Sequence, residues 1–140
     1  MLELADVEVP SEFQGTSFLP LLRGYTPKGW QQSMYYRYWM NEATHNVAAH
    51  YGVRTKRYKL IYYYYDGLRQ AGVEQGVADI PGVVIEELGS EPEWELFDLD
   101  QNPQELNNVY ADPTYASVVD DLSNELERLQ RYFGDEPYER

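Results

Sequence analysis

Two stretches of the chain carry residue types that do chemistry. In "AHYGVRTKRYKLIYYYY", Ala49 to Tyr65, four basic side chains, Arg54, Lys56, Arg57 and Lys59, fall within six positions beside His50 and ahead of four consecutive tyrosines. Such a cluster can hold an anion, Arg through a bidentate fork and Lys as a point charge. The tyrosine faces can stack on apolar ligand surfaces, sugars included. The same residues also describe a hairpin with a cationic turn. In "DLDQN", Asp98, Asp100 and Asn102 stand at the first three ligand spacings of an EF-hand loop. That loop then requires Gly and, at its twelfth position, Glu, where this chain has Pro103 and Val109, so a calcium loop is not expected.

The background of the basic cluster is acidic. Asp and Glu number 24 against 11 Lys and Arg, a formal charge of −13, and a field of that sign repels polyanions, so no nucleic-acid partner is expected. The absence of cysteine removes disulfides, thiolate metal sites and cysteine nucleophiles, and leaves the compartment undetermined. No segment approaches the roughly 18 apolar residues of a membrane span, and "MLELADVEVP" lacks the basic flank and apolar run of a signal peptide. An apolar content of 43%, with three Trp and 14 Tyr, places the chain in the folding class. Its 140 residues suffice for one domain or a piece of a larger one. "LELADV" reads like the last turns of a helix whose start is missing, a hint of truncation.

The elements that must position these residues follow from periodicity. Residues 1–29, punctuated at Pro10, Gly15, Pro20 and Gly24, read as a connector with one helical turn near Ser17 to Leu22. Dense aromatics without a helical period predict a strand near Ser33 to Met40. His50 to Thr55 and Tyr58 to Tyr64 flank a turn and predict an antiparallel hairpin, with His50, Gly52 and Arg54 on one face and Tyr51, Val53 and Thr55 on the other. Residues 66–93, with five glycines, read as an inserted loop. "EWELFDL" predicts a further strand, and Asn102-Pro103 with Glu105 predicts a capped helical turn. After Asp112-Pro113, Tyr115, Val118, Val119, Leu122, Leu126, Leu129 and Phe133 recur at spacings of three and four, one long amphipathic helix closed by Gly134. The fold expected is α+β: an antiparallel sheet of about four strands with the long C-terminal helix packed on one face.

Four ordered segments carry a family resemblance: "VEVPSEFQGTSFLPLLRG", "HYGVRTKRYKLIYYY", "WELFDLDQNPQELNNVY" and a helix ending "ELERLQRYFGD". From about Leu2 to Asp135 the chain resembles the C-terminal subdomain of sulfatases of the alkaline-phosphatase-like superfamily, residues 1–29 looking like the end of the catalytic domain and its connector, and 30–140 like the subdomain. The resemblance implies sulfuric ester hydrolysis by a parent enzyme with a formylglycine nucleophile, formed in a C/S-x-P/A-x-R motif, and a calcium ion. Neither is visible in this chain: the nearest motif, "SEPEW" from Ser90, has Trp94 where Arg is required. The implied partners are the missing catalytic domain and, only in the full-length parent, a sulfated substrate; the apolar side chains Phe13, Phe18, Leu19, Leu21 and Leu22, which that domain would cover, predict association with another copy of the chain. The parent family is often exported.

In the same family this region can approach the cleft, so the resemblance implies substrate-binding roles for His45, His50 and Arg54, through hydrogen bonds to a hydroxyl, a carboxylate or a second sulfate. The isolated chain is expected to be inactive. An alternative of another class is a free-standing glycan-binding or assembly module using Tyr62 to Tyr65.

Overall fold

The computed structural model describes residues 2–39, 47–64, 92–135 and Pro137. His45, Ser90 and Tyr65 lie outside the described residues, as does the expected insertion apart from Pro92 and Glu93. The chain forms two compact units, residues 1–32 and 33–140. The first contains a 3-10 turn at Glu3–Ala5 and one helical turn, α1, at Leu19–Leu22, where Pro20 sits in the first turn and the Ser17 hydroxyl accepts the Leu19 N–H.

The second unit is built on a sheet in meander order, β1 (Met34–Tyr38), β2 (His50–Arg54), β3 (Tyr58–Tyr63) and β4 (Glu93–Asp98), every neighbouring pair antiparallel. Its strands begin and end close to where the aromatic and β-branched runs predict. Alternation sorts the side chains: Tyr51, Val53, Leu60 and Leu96 go to one face and form a single core with Leu122, Leu126 and Leu129 of the terminal helix, α2 (Ala116–Phe133). Each of these helix leucines, buried at a spacing of four or three, contributes about 2 kcal/mol by removal of apolar surface from water.

Helix α2 starts and stops where its sequence dictates. The Asp112 carboxylate accepts the Thr114 N–H at 2.9 Å, Pro113 opens a 3-10 turn, and Gly134 takes a left-handed φ of 68°. Asp135 N–H then closes onto the Gln130 carbonyl at 2.9 Å. Beyond that stop, the Asp135 carboxylate receives Arg37 of β1 at 2.5 Å and the Tyr35 hydroxyl, so the end of the helix is pinned to the first strand. At the far edge of the sheet, Asn108 accepts the Leu96 N–H at 3.0 Å and donates to the Trp94 carbonyl at 3.1 Å, while Val109 N–H reaches the Leu96 carbonyl. These bonds occupy edge groups of β4 that would otherwise be open to pairing.

The helical turn expected at Asn102-Pro103 does not form. Glu105 adopts a φ of 56°, which ends any helical path, and its carboxylate turns to Lys59 at 2.5 Å instead of back to Asn102. Asn102 still organises the loop: with its carboxamide oxygen turned inward it accepts the N–H groups of Leu106 at 2.8 Å and Asn107 at 2.6 Å.

Candidate functional site

The basic cluster divides once the hairpin is folded. Thr55 closes the β2–β3 turn, its N–H donating to the Tyr58 carbonyl and its hydroxyl accepting the Tyr58 N–H. Arg57 then reaches back to Asp98, donating from Nε at 3.0 Å and from Nη2 at 2.7 Å. Asp98 is 2% exposed and also accepts the Tyr115 hydroxyl and the Asp100 N–H. The Arg57 guanidinium holds the Asp98 carboxyl below the usual carboxylate range, with Tyr115 adding to the effect against burial. Lys59 is held by Glu105. Two of the four cations are therefore committed to internal ion pairs, and Arg54 and Lys56 remain exposed with no ion pair among the described residues.

The tyrosine run divides in the same way. Tyr62 packs on Trp94, ring centroids 4.6 Å apart, and Tyr64 is fully buried, accepting from Arg37 Nε and donating to the Tyr38 carbonyl. Both are core. Tyr63 belongs to the opposite face, the one α2 does not cover, and there it meets His50.

On that face the register places His50 between Tyr38 and Tyr63, and Gly52 between Tyr36 and Ile61. The imidazole is half-buried, with ring centroids 5.6 Å from Tyr38, 5.9 Å from Tyr36 and 5.1 Å from Tyr63. Its Nδ1 lies 2.7 Å from the Ala48 carbonyl oxygen. Burial lowers the His50 pKa below the ordinary imidazole value; the Ala48 bond opposes this and the Lys59 charge adds to it. On β4 of the same face, burial raises the Glu95 carboxyl, partly offset by the Tyr63 hydroxyl. The hydroxyls of Tyr36 and Tyr38 are buried without a hydrogen-bond partner among the described residues. Buried hydroxyls rarely go unsatisfied, so they are open valences of this face.

Of the residues the sequence nominates, His50 sits in this aromatic setting, and Arg54 is on the same face at the other end of β2, about 13 Å away at strand rise. The two cannot grip one small group together. Tyr36 and Tyr38 were missed; the only signal for them is the period-two spacing within "MYYRY", which becomes informative once the register with β2 is known.

For the calcium and formylglycine implied by the resemblance, the described residues offer no matching ligand set and the sequence holds no C/S-x-P/A-x-R motif. There is no cysteine, and among the described residues no three His, Asp or Glu side chains converge as metal ligands. Asp98 is saturated by Arg57, Tyr115 and Asp100, and Asp100 lies beside the same guanidinium at 3.6 Å.

Comparison with known proteins places this geometry. Residues 1–72 and 82–132 match the family described as "N-sulphoglucosamine sulphohydrolase, C-terminal". An N-acetylglucosamine-6-O-sulfatase of Bacteroides thetaiotaomicron is 35% identical over 136 residues, 96% of this chain and 20% of the relative. An ulvan-active sulfatase of Formosa agariphila is 29% identical over 140 residues, 96% of this chain and 28% of the relative. A solved enzyme complex with its substrate D-glucosamine-2-N,6-O-disulfate superposes with a TM-score of 0.70 at 35% identity, over 93% of this chain and 22% of that one. The chain thus spans only between a fifth and three-tenths of the length of these proteins. By the match to that family over most of its residues, the chain belongs to the C-terminal domain family of the sulphoglucosamine sulphohydrolases, and it is a sulfatase C-terminal domain.

Proposed function

We propose that this domain buttresses the catalytic domain of a sulfatase acting on sulfated sugars, and that the β-sheet face bearing His50 lines one side of the substrate cleft. The observation that carries this reading is the sheet face opposite α2, where His50 Nε2 and the buried hydroxyls of Tyr36 and Tyr38 have no hydrogen-bond partner among the described residues. The aminosugar sulfates named for the two relatives at 35% identity support a sulfated aminosugar as the substrate class. The formylglycine nucleophile and calcium ligands belong, on this reading, to the remainder of the polypeptide. What the present residues supply is shape, hydrogen bonds to the remote part of the substrate, and exclusion of water.

The buttressing role is supported by the first unit. Phe13 is 57% exposed and Leu22 62%, with Phe18 and Leu21 also exposed, and an apolar hollow lies between Leu2, Val9, Phe13 and Phe18. Apolar surface of this kind marks an interface. Purified alone, the chain should release no nitrophenol from 4-nitrophenyl sulfate and should run as a dimer or larger in light scattering. Turnover of that ester would contradict the assignment of the nucleophile to another domain, and a monomer at high concentration would contradict the interface.

A further inference from the structure

The state of the His50 ring decides what kind of group it can recognise. A carbonyl oxygen only accepts hydrogen bonds, so the 2.7 Å contact with Ala48 requires a proton on Nδ1. In the neutral ring Nε2 then carries a lone pair, and it has no partner among the described residues. We infer that His50 reads a hydrogen-bond donor, a hydroxyl of the sugar, and is not a receptor for sulfate or carboxylate; this rests on the proposal that its face lines the cleft. The groups facing the ring are Tyr36 and Tyr38 from β1, and Tyr63 and Lys59 from β3. No carboxylate is bonded to it among the described residues; the Ala48 carbonyl favours the charged ring, but burial and the neighbouring Lys59 ammonium outweigh it. An anion would need the ring protonated. A hydroxyl needs it as it stands, set among the neutral rings of Tyr36, Tyr38 and Tyr63.

The test uses the full-length parent enzyme, with glucosamine 6-sulfate and its 3-deoxy and 4-deoxy counterparts as probes. A neutral hydrogen bond contributes up to about tenfold in kcat/KM. Wild type should lose about that factor on one of the two deoxy probes, and His50→Ala should lose the same factor on the parent sugar but nothing further on that deoxy probe. His50→Gln, which keeps an acceptor, should recover part of the loss. Proton–nitrogen NMR of the imidazole at neutral pH should show Nε2 unprotonated. If His50→Ala loses activity on the parent sugar but both deoxy probes lose equally in wild type and variant, or if Nε2 carries the proton, the hydroxyl assignment is overturned while the cleft reading stands. If His50→Ala matches wild type on every probe, the cleft reading itself falls.

Discussion

Gly52→Ala should destabilise the domain by about 3 kcal/mol, the upper end of the usual cost of forcing atoms into a filled site. A Cβ at this position would lie 2.4 Å from the Leu60 carbonyl oxygen, 2.7 Å from the Tyr36 hydroxyl and 2.9 Å from the Tyr36 ring. The Tyr36 ring, directly across from Gly52 in the β1–β2 register, occupies the space that a side chain would fill. A tyrosine tip can swing aside, but a backbone carbonyl in the middle of a sheet cannot, so most of the strain should fall on the β2–β3 pairing. Denaturant midpoints of Gly52→Ala, Tyr36→Ala and the double variant measure this. The double variant should recover only part of the loss, because Leu60 remains. A Gly52→Ala protein as stable as wild type would show that the strands do not approach as closely as described.

Asp98→Asn should cost about 3 kcal/mol at neutral pH. The buried carboxylate accepts two bonds from a guanidinium and one from a phenol, and hydrogen bonds to charged groups are the strong ones. The carboxamide cannot accept all three. Arg57, 46% exposed, recovers part of its hydration, which limits the loss. The pH dependence has a definite sign. The folded Asp98 pKa is lowered, so its contribution is fully present above the unfolded carboxylate value of about 3.9 and is lost as pH falls through the folded value below that. Urea midpoints of wild type and Asp98→Asn should therefore differ at pH 7 and converge as the pH drops below about 4. A gap that stays constant down to strongly acid solution would mean that Asp98 does not hold Arg57 as a charged pair.

Much of the scaffold was legible in the sequence because it obeys short-range rules. Alternation in "HYGVR" put His50, Gly52 and Arg54 on one face, the spacing of Leu122, Leu126 and Leu129 gave the buried stripe of α2, and Asp112-Pro113 and Gly134 marked its limits. What escaped depends on distant partners. Arg37 meets Asp135 across 98 positions and Arg57 meets Asp98 across 41, and neither pair leaves a local pattern. Asp98, which its neighbours made look like a metal ligand, is a clamp between the hairpin turn and the start of α2. At Asn102 the local signal was real but ambiguous: the same Asn-Pro that caps helices here organises a loop, because the Lys59–Glu105 pair draws the third residue of the capping pattern away. The site was half legible. His50 came from the family resemblance, whereas its tyrosine neighbours needed the β1–β2 register, which no single strand encodes.

The claim that the sheet face opposite α2 lines a substrate cleft is tested most directly by the kinetics of His50→Ala in the full-length parent, on a sulfated aminosugar and on 4-nitrophenyl sulfate side by side. A residue touching the sugar remote from the reacting sulfate should lower kcat/KM about tenfold on the aminosugar ester and leave the small aryl ester nearly unchanged. Equal losses on both esters, or no loss on either, would contradict it.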